Sequence, residues 1–504
     1  MIYGIHAVNH SNGEWRMENG EWKLGTINKY DMKKILVILG ATVMLLCPCC
    51  ILLEEKLDES LTKGERINKF IVDGVQTYYL WEAETDWKKY DDNETFTLYD
   101  DHYELFDQLL SKEDPWSTLT DDFIGLEKQF EGVSTTFGYT LAFYYNPFEK
   151  NDEVIAIVLF ITPGSPAAKA GMKRGDVIVE MNGNKLTDDN YKNLYTASSL
   201  QIRCGQVDVE NKVITLLQPI ISLTAIEMYE NPIYMFKIIE KTGKKIGYLC
   251  YTGFQRESEN ELIQLFSDFK SANVTEVVLD LRYNPGGFSR TAQLLSSILV
   301  PEQEVKKKSI YLEHYYNNLY TQYLKKNGHD LYETFVDTLP VNMNLSRLYV
   351  LSSSNTASAS EATIVGLNPY MQVVQIGDTT SGKYCGGVLL SPEDIYGEKN
   401  KPYFDGFANW GMYIMIYRYA NINGLSSFSS GLVPDLLAKE NPFDLKPLGD
   451  EDDPLLGRAL ADIMGVSYIE PRSAKIAMPL SALPAPKKLS DGLLIATPPQ
   501  MIVK

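Results

Sequence analysis

Ser358 and Lys383 carry the spacing in this chain that could do chemistry. Thr356-Ala-Ser-Ala-Ser-Glu361 follows the apolar run Tyr349–Leu351 and opens a helix-like segment, Ala359–Leu367, so Ser358 falls at a strand-to-helix turn. A serine held there presents its hydroxyl while the next backbone N–H groups begin the helix. A serine alcohol is a poor nucleophile near neutral pH and needs a base, and no histidine follows His329. Lys383, glycine-flanked and 25 positions after Ser358, is the obvious substitute. Its ordinary pKa of about 10.4 would have to fall toward roughly 7 to 8, which desolvation in a cleft can achieve. Taken alone, a serine–lysine pair is common by chance.

Two motifs in order add to it. The TASASE stretch with its later Gly382-Lys383, and Val277–Gly287 (VVLDLRYNPGG), resemble the serine–lysine site and the glycine-paired strand end of the C-terminal processing peptidases, also called tail-specific proteases. The resemblance covers roughly residues 130 to 440 and implies a catalytic core of crotonase/ClpP-like α/β build, a serine endopeptidase activity and no cofactor. Asn284-Pro-Gly-Gly287 alone reads as a plain β-turn. Beside the serine and lysine, Gly287, with Gly286 adjacent, is expected to join the Ala359 N–H in an oxyanion hole, where one donor is worth about 100- to 1000-fold in rate. The family's pattern places a glutamine four residues after the lysine; Gly387 stands here, leaving Tyr384, Thr379 or a more distant residue to orient Lys383. Ser360 and Glu361 read as helix capping, and Arg282 as pairing with a nearby acid.

Elements to position these groups follow from periodicity. Apolar runs at Ile246–Tyr251, Glu276–Leu281, Arg347–Leu351 and Gln372–Ile376 alternate with helix-like segments Glu259–Ala272, Thr291–Val300 and Ala359–Leu367, predicting an α/β catalytic domain over residues 221–440. Pro301–Asn344 reads as a helical insertion, a cap on the cleft or a structural arm. Residues 130–220 change to short strands and turns, and Ser165–Leu186 resembles a PDZ domain, which adds a peptide to its sheet as an extra strand. Ser134–Tyr139 is then the candidate carboxylate-binding loop, and Tyr139, Leu141, Tyr191 and Leu194 the groove lining. A PDZ-shaped module that only packs against the core is the alternative. Upstream, residues 54–129 predict a small helical domain, with Tyr78, Tyr79 and Trp81 as packing residues. Residues 441–504 hold a last helix, Asp453–Gly465, and a proline-containing tail without a site, whose stretches PLSAL and GLLIATPP are apolar enough to dock.

The 504 residues are 44% hydrophobic and 22% charged, an ordinary globular balance, and the net charge of −19 argues against a nucleic-acid partner. Lys33 and Lys34 open an apolar run to Leu53, so residues 32–53 read as a signal peptide or a membrane or lipoprotein anchor, and residues 1–31 as an extension without structure. Cys47, Cys49 and Cys50 end that run as lipidation candidates. Cys204, Cys250 and Cys385 are too scattered for a metal site, and the histidines lack ligand spacing, so no metal is expected. The reading is an exported, envelope-bound bacterial serine endopeptidase acting on protein or peptide substrates, with no expectation about oligomeric state. Its rivals are a catalytically inactive peptide-binding lipoprotein and a crotonase-like acyl-thioester enzyme.

Overall fold

Long buried apolar runs decide the core. In the computed structural model, which describes residues 14–18, 21–25, 57–90, 96–149, 152–470, 480–486 and 494–496, a six-stranded sheet runs in the order Ile233–Lys241, Lys244–Tyr251, Glu276–Asp280, Arg347–Ser352, Gln372–Gly377, Leu436–Leu437. Only its first pair is antiparallel. The central strands are buried along nearly their whole length because helices cover both faces, as parallel strands require. These include Glu259–Ser271, Ser289–Leu299, Ala359–Leu367 and Pro454–Met464.

A second sheet closes against this core. Its order is Gly287–Phe288, Leu494–Ile495, Cys385–Leu390, Gly411–Ala420, Ile310–Tyr316, Tyr332–Thr334, with Thr118–Thr120 pairing on Gly411–Tyr413. Two expectations change here. Pro301–Asn344 is not a helical cap: its strand Ile310–Tyr316 joins this sheet, and its helices are the short Glu302–Lys306 and Asn318–Lys326. The helical region upstream is not free-standing either. Its helix Lys63–Tyr78, started by a Thr62–Glu65 capping box, buries Ile67, Phe70, Ile71, Val75 and Tyr78, and Gly74 lies against Met412 of the sheet. Tyr79 is fully buried, and its hydroxyl accepts from the Ser111 N–H at 3.0 Å.

The β-rich module has its own core of Phe143, Ala156, Val158, Ile178 and Ile202, among others, and a sheet ordered Val213–Leu216, Ser199–Asp208, Val177–Met181, Val154–Ile161, Tyr139–Tyr145, Ala482–Leu483. The last of these comes from the C-terminal tail. Separately, Glu14–Glu18 and Glu21–Gly25 pair antiparallel within the stretch expected to lack structure. Both strands alternate charged and apolar residues, a period of two that a search for long runs passes over. The anchor run and Cys47, Cys49 and Cys50 lie outside the described residues.

One charge cluster ties the module, the core and the last helix together. Arg282, fully buried, binds Asp280 at 2.9 and 2.7 Å, Asp453 at 2.7 and 2.9 Å, and Glu440 at 2.9 Å. Asp453 also caps the helix Pro454–Met464, accepting from the Leu455 and Leu456 N–H groups. Arg174 reaches Glu440 and the Tyr283 hydroxyl from the β-rich module. Burial would raise the Asp453 carboxyl, but the Arg282 guanidinium and the cap hold it below the ordinary aspartate range. A depressed folded-state value contributes stability that is intact above the ordinary aspartate value and is lost as pH falls below it. Arg282→Met strands two buried carboxylates and should cost about 3 to 5 kcal/mol. Urea unfolding midpoints should therefore drop for the variant at pH 7, and the gap between variant and parent should narrow as pH is lowered toward 3; equal midpoints at pH 7 would remove the cluster from the account.

Candidate active site

Ser358 sits at the end of strand Arg347–Ser352 and its turn, with φ 63° and ψ −113°. A non-glycine residue in this region stores roughly 1 to 3 kcal/mol of strain and persists only when its surroundings impose it. Glu361, one helical turn on and fully buried, supplies the imposition. Its carboxylate accepts from the Ser358 N–H at 2.7 Å and the Lys383 N–H at 2.9 Å on one oxygen, and from the Gly382 N–H and the Thr380 hydroxyl, both at 2.6 Å, on the other. Burial pushes this carboxyl up, and those four donors oppose the shift. On the other side the Tyr419 hydroxyl lies 2.9 Å from the Lys383 carbonyl and 3.4 Å from that of Ser358. Two residues 25 positions apart are thus gripped at both backbone ends by the same two side chains.

Lys383 is 1% exposed. Its Nζ lies 3.4 Å from the Tyr413 hydroxyl, 5.2 Å from the Tyr413 ring and 5.6 Å from the Trp116 ring. The Ser358 Oγ is buried and makes no hydrogen bond, so the alcohol and amine are not joined in this state; such bonds often tighten only with substrate bound. Position 387 has no room for a glutamine, because a Cβ there would lie 2.5 Å from Tyr413 Cζ and 2.6 Å from the Ile414 carbonyl oxygen. Tyr413, 30 positions after the lysine, is the distant residue at the amine.

The glycine loop is locked to the same turn. The Asn284 carbonyl accepts from the Ala357 N–H at 3.2 Å and the Ser360 hydroxyl at 3.0 Å, so Ser360 fastens the loop rather than capping the helix. Gly286 differs from its expected role: its N–H donates to Asn284 Oδ1 at 2.9 Å and is not open to substrate. Gly287, at φ +136°, lies with Phe254 O 2.3 Å from where a Cβ would be, so only glycine fits there. Ala359 is the first residue of the helix, where an N–H has no intrahelical partner. Burial raises the Cys385 thiol to about 12, which leaves it no nucleophilic role.

A cleft of about 410 Å³ leads from the β-rich module to this site, passing Tyr139, Leu141, Trp116 and Gly287 to Ala357 and Ser381. Of the expected groove residues, Tyr139 and Leu141 line it, Leu194 is core, and the Tyr191 hydroxyl donates to the Pro484 carbonyl at 2.8 Å. The carboxylate-binding loop is corrected: Val133–Thr136 is a strand paired with Ile226–Tyr229, and the Gly138 N–H is taken by Thr136 Oγ1. Ser134 and Thr162 hydroxyls donate to Glu230, whose negative charge at this end of the cleft opposes a peptide carboxylate. The sequence offered no signal for Tyr413 or Tyr419, which share the apolar strand Gly411–Ala420, or for Trp116, all of them far from either motif.

Comparison with known proteins identifies the domains that hold this site. Residues 245–438 match Peptidase family S41, and residues 157–195 match the PDZ domain. The carboxyl-terminal-processing protease of Picosynechococcus sp. is 24% identical over 368 residues, 70% of this chain and 77% of that protein. Carboxy-terminal processing protease CtpA of Bacillus subtilis is 25% identical over 281 residues, 54% of this chain and 53% of that protein. A crystal structure described as an S41 protease from Bacteroides fragilis superposes with a TM-score of 0.63 at 25% identity, covering 79% of this chain and 97% of that one.

Glu361→Gln keeps the shape but turns an amide NH₂ toward N–H or O–H donors. We expect a stability loss of about 1 to 3 kcal/mol and a fall in kcat with KM little changed, because binding surfaces are untouched; an unaltered kcat would show that the grip on the two backbones is dispensable.

Proposed function

For a chain that carries a peptidase family S41 domain with a PDZ domain before it, we propose an exported serine endopeptidase with a Ser358–Lys383 dyad. The observation that carries this reading is the single Glu361 oxygen shared by the Ser358 and Lys383 N–H groups. Ser358 Oγ attacks the scissile carbonyl carbon while Lys383, neutral at rest, takes the hydroxyl proton. The Gly287 and Ala359 N–H groups receive the oxyanion. Collapse breaks the C–N bond, Lys383 returns the proton to the leaving amine, and an ester on Ser358 remains. Water, deprotonated by the same amine, hydrolyses it. Tyr413 positions the lysine, and no cofactor enters any step.

Cleavage falls toward the C-terminal part of protein substrates, the activity named for the relatives, with the PDZ domain presenting an extended peptide to the cleft. Glu230 favours an internal segment laid along strand Tyr139–Tyr145 over a terminal carboxylate. The protein resides in the bacterial cell envelope, held by the apolar run of residues 32–53 or by lipid on Cys47, Cys49 or Cys50. Treatment with a serine-directed phosphonate followed by peptide mass spectrometry should find the adduct on Ser358. Ser358→Ala should abolish both the adduct and turnover of an unstructured protein. An adduct at another serine, or equal turnover in parent and Ser358→Ala, would leave a binding protein.

A further inference from the structure

The C-terminal tail takes two strand positions, one on the edge strand of the PDZ sheet that borders the cleft and one in the second sheet between the glycine loop and the strand that leaves Lys383. Ala482–Leu483 pairs antiparallel with Tyr145–Tyr139 at its far end, Ala482 opposite Tyr144 and Leu483 opposite Phe143, and the Tyr145 N–H donates to the Ser481 carbonyl at 3.0 Å. Without it, Tyr139–Tyr145 is the edge of the PDZ sheet, the place where such a domain adds a peptide strand. Leu483 packs on the PDZ core, and Pro484, Ala485 and Pro486 line the same cleft as Gly286, Gly287 and Ala357. Farther along, Leu494–Ile495 lies between Gly287–Phe288, the end of the glycine loop, and Cys385–Leu390, the strand that leaves Lys383. The Ala496 N–H donates to the Gly387 carbonyl at 2.9 Å. The Leu494 carbonyl accepts from the Tyr413 hydroxyl at 2.8 Å, the same hydroxyl that lies 3.4 Å from Lys383 Nζ. Leu494 is fully buried and Ile495 3% exposed.

We propose that this tail is an intramolecular occupant of the peptide path, a built-in competitor that keeps the enzyme latent until a substrate or partner displaces it. The inference rests on the peptidase reading for its consequence, but not for the docking itself. Three features separate it from an ordinary closing strand. The tail pairs with the one PDZ edge suited to a ligand, enters between the two loops assigned to the oxyanion and the base, and hydrogen-bonds the phenol that positions the base. Meanwhile Ser358 Oγ makes no hydrogen bond in this tail-docked state. Tethering makes the competitor effective without tight contacts, because a linked segment acts at an effective concentration of about millimolar. A tail docked nine-tenths of the time lowers the competent fraction to about one in ten, and apparent substrate affinity with it.

The test uses the full chain. Leu483→Asp with Ile495→Asp sets a charge against each docking site, and we expect kcat/KM on a fluorescent unstructured protein to rise about tenfold or more, chiefly through a lower KM. A synthetic peptide of residues 480–496 should inhibit that variant competitively and the parent far less. Where the parent turns over substrate, unchanged or reduced turnover by a variant whose circular dichroism and melting match the parent would overturn the proposal. Should the variant fold poorly, the single substitutions serve. A second readout needs no catalysis: in a Ser358→Ala background the labelled peptide should bind the tail-displaced chain about tenfold tighter than the tail-intact one by fluorescence anisotropy. Equal binding overturns the tail's role, whereas preferential binding without any turnover by any variant would retain the docked tail and reject the peptidase.

Discussion

The arrangement depends on one buried carboxylate. Glu361 stands fully inside the core, and four donors converge on it from the turn before its own helix and from the loop before Lys383. A buried carboxylate is costly unless it is hydrogen-bonded throughout, and here the same bonds that satisfy it also fix Ser358 in its strained backbone and set Lys383 beside it. The strain at Ser358, the shared anchoring of Ser358 and Lys383 and the acid's own solvation are one interaction seen from three sides. Removing any of the four donors leaves part of that carboxylate unsolvated.

Around this post the core is assembled by ties between segments distant in sequence. Asn284 joins the glycine loop to the serine turn through its backbone carbonyl, and Arg282, two residues earlier, anchors the same loop to the last helix and to Glu440. Arg174 brings the PDZ domain to that cluster. Ion pairs of low exposure, which are little screened, therefore connect the PDZ domain to the loop that carries Gly287. Two pieces of the same tail pair with both bodies, one on the PDZ edge strand and one between the glycine loop and the strand that leaves Lys383.

Much of this was legible in the sequence, and what was not has physical reasons. The core strands and helices fell where continuous apolar runs and helical spacing put them, because strands buried on both faces leave no ambiguity of phase. Ser358, Lys383 and Gly287 were legible because special backbone or special chemistry restricts the residue type. Glu361 was legible as a cap, and it does accept from the Ser358 N–H at the start of its helix; its burial and its bonds to Thr380, Gly382 and Lys383 are decided by a distant loop, which local pattern cannot see. Tyr413 and Tyr419 belong to a strand buried on both faces, where polar tips look like any other aromatic packing. The tail was legible as two stretches apolar enough to dock, and Ala482–Leu483 and Leu494–Ile495 fall within them; where they dock was not, because a strand of two residues added to an existing sheet needs no period of its own. Gly286 was assigned by adjacency, but a side-chain acceptor two residues upstream claims its N–H.

The central claim is that Lys383 takes the proton from Ser358 inside the frame that Glu361 builds. The most direct measurement is the second-order rate of phosphonate labelling at Ser358 as a function of pH, in the parent and in Lys383→Met. For the parent the rate should climb with pH along a single titration as the amine loses its proton, and in Lys383→Met that titration should vanish and leave a low, flat rate. The same titration surviving in Lys383→Met would show that another group is the base and would contradict the account.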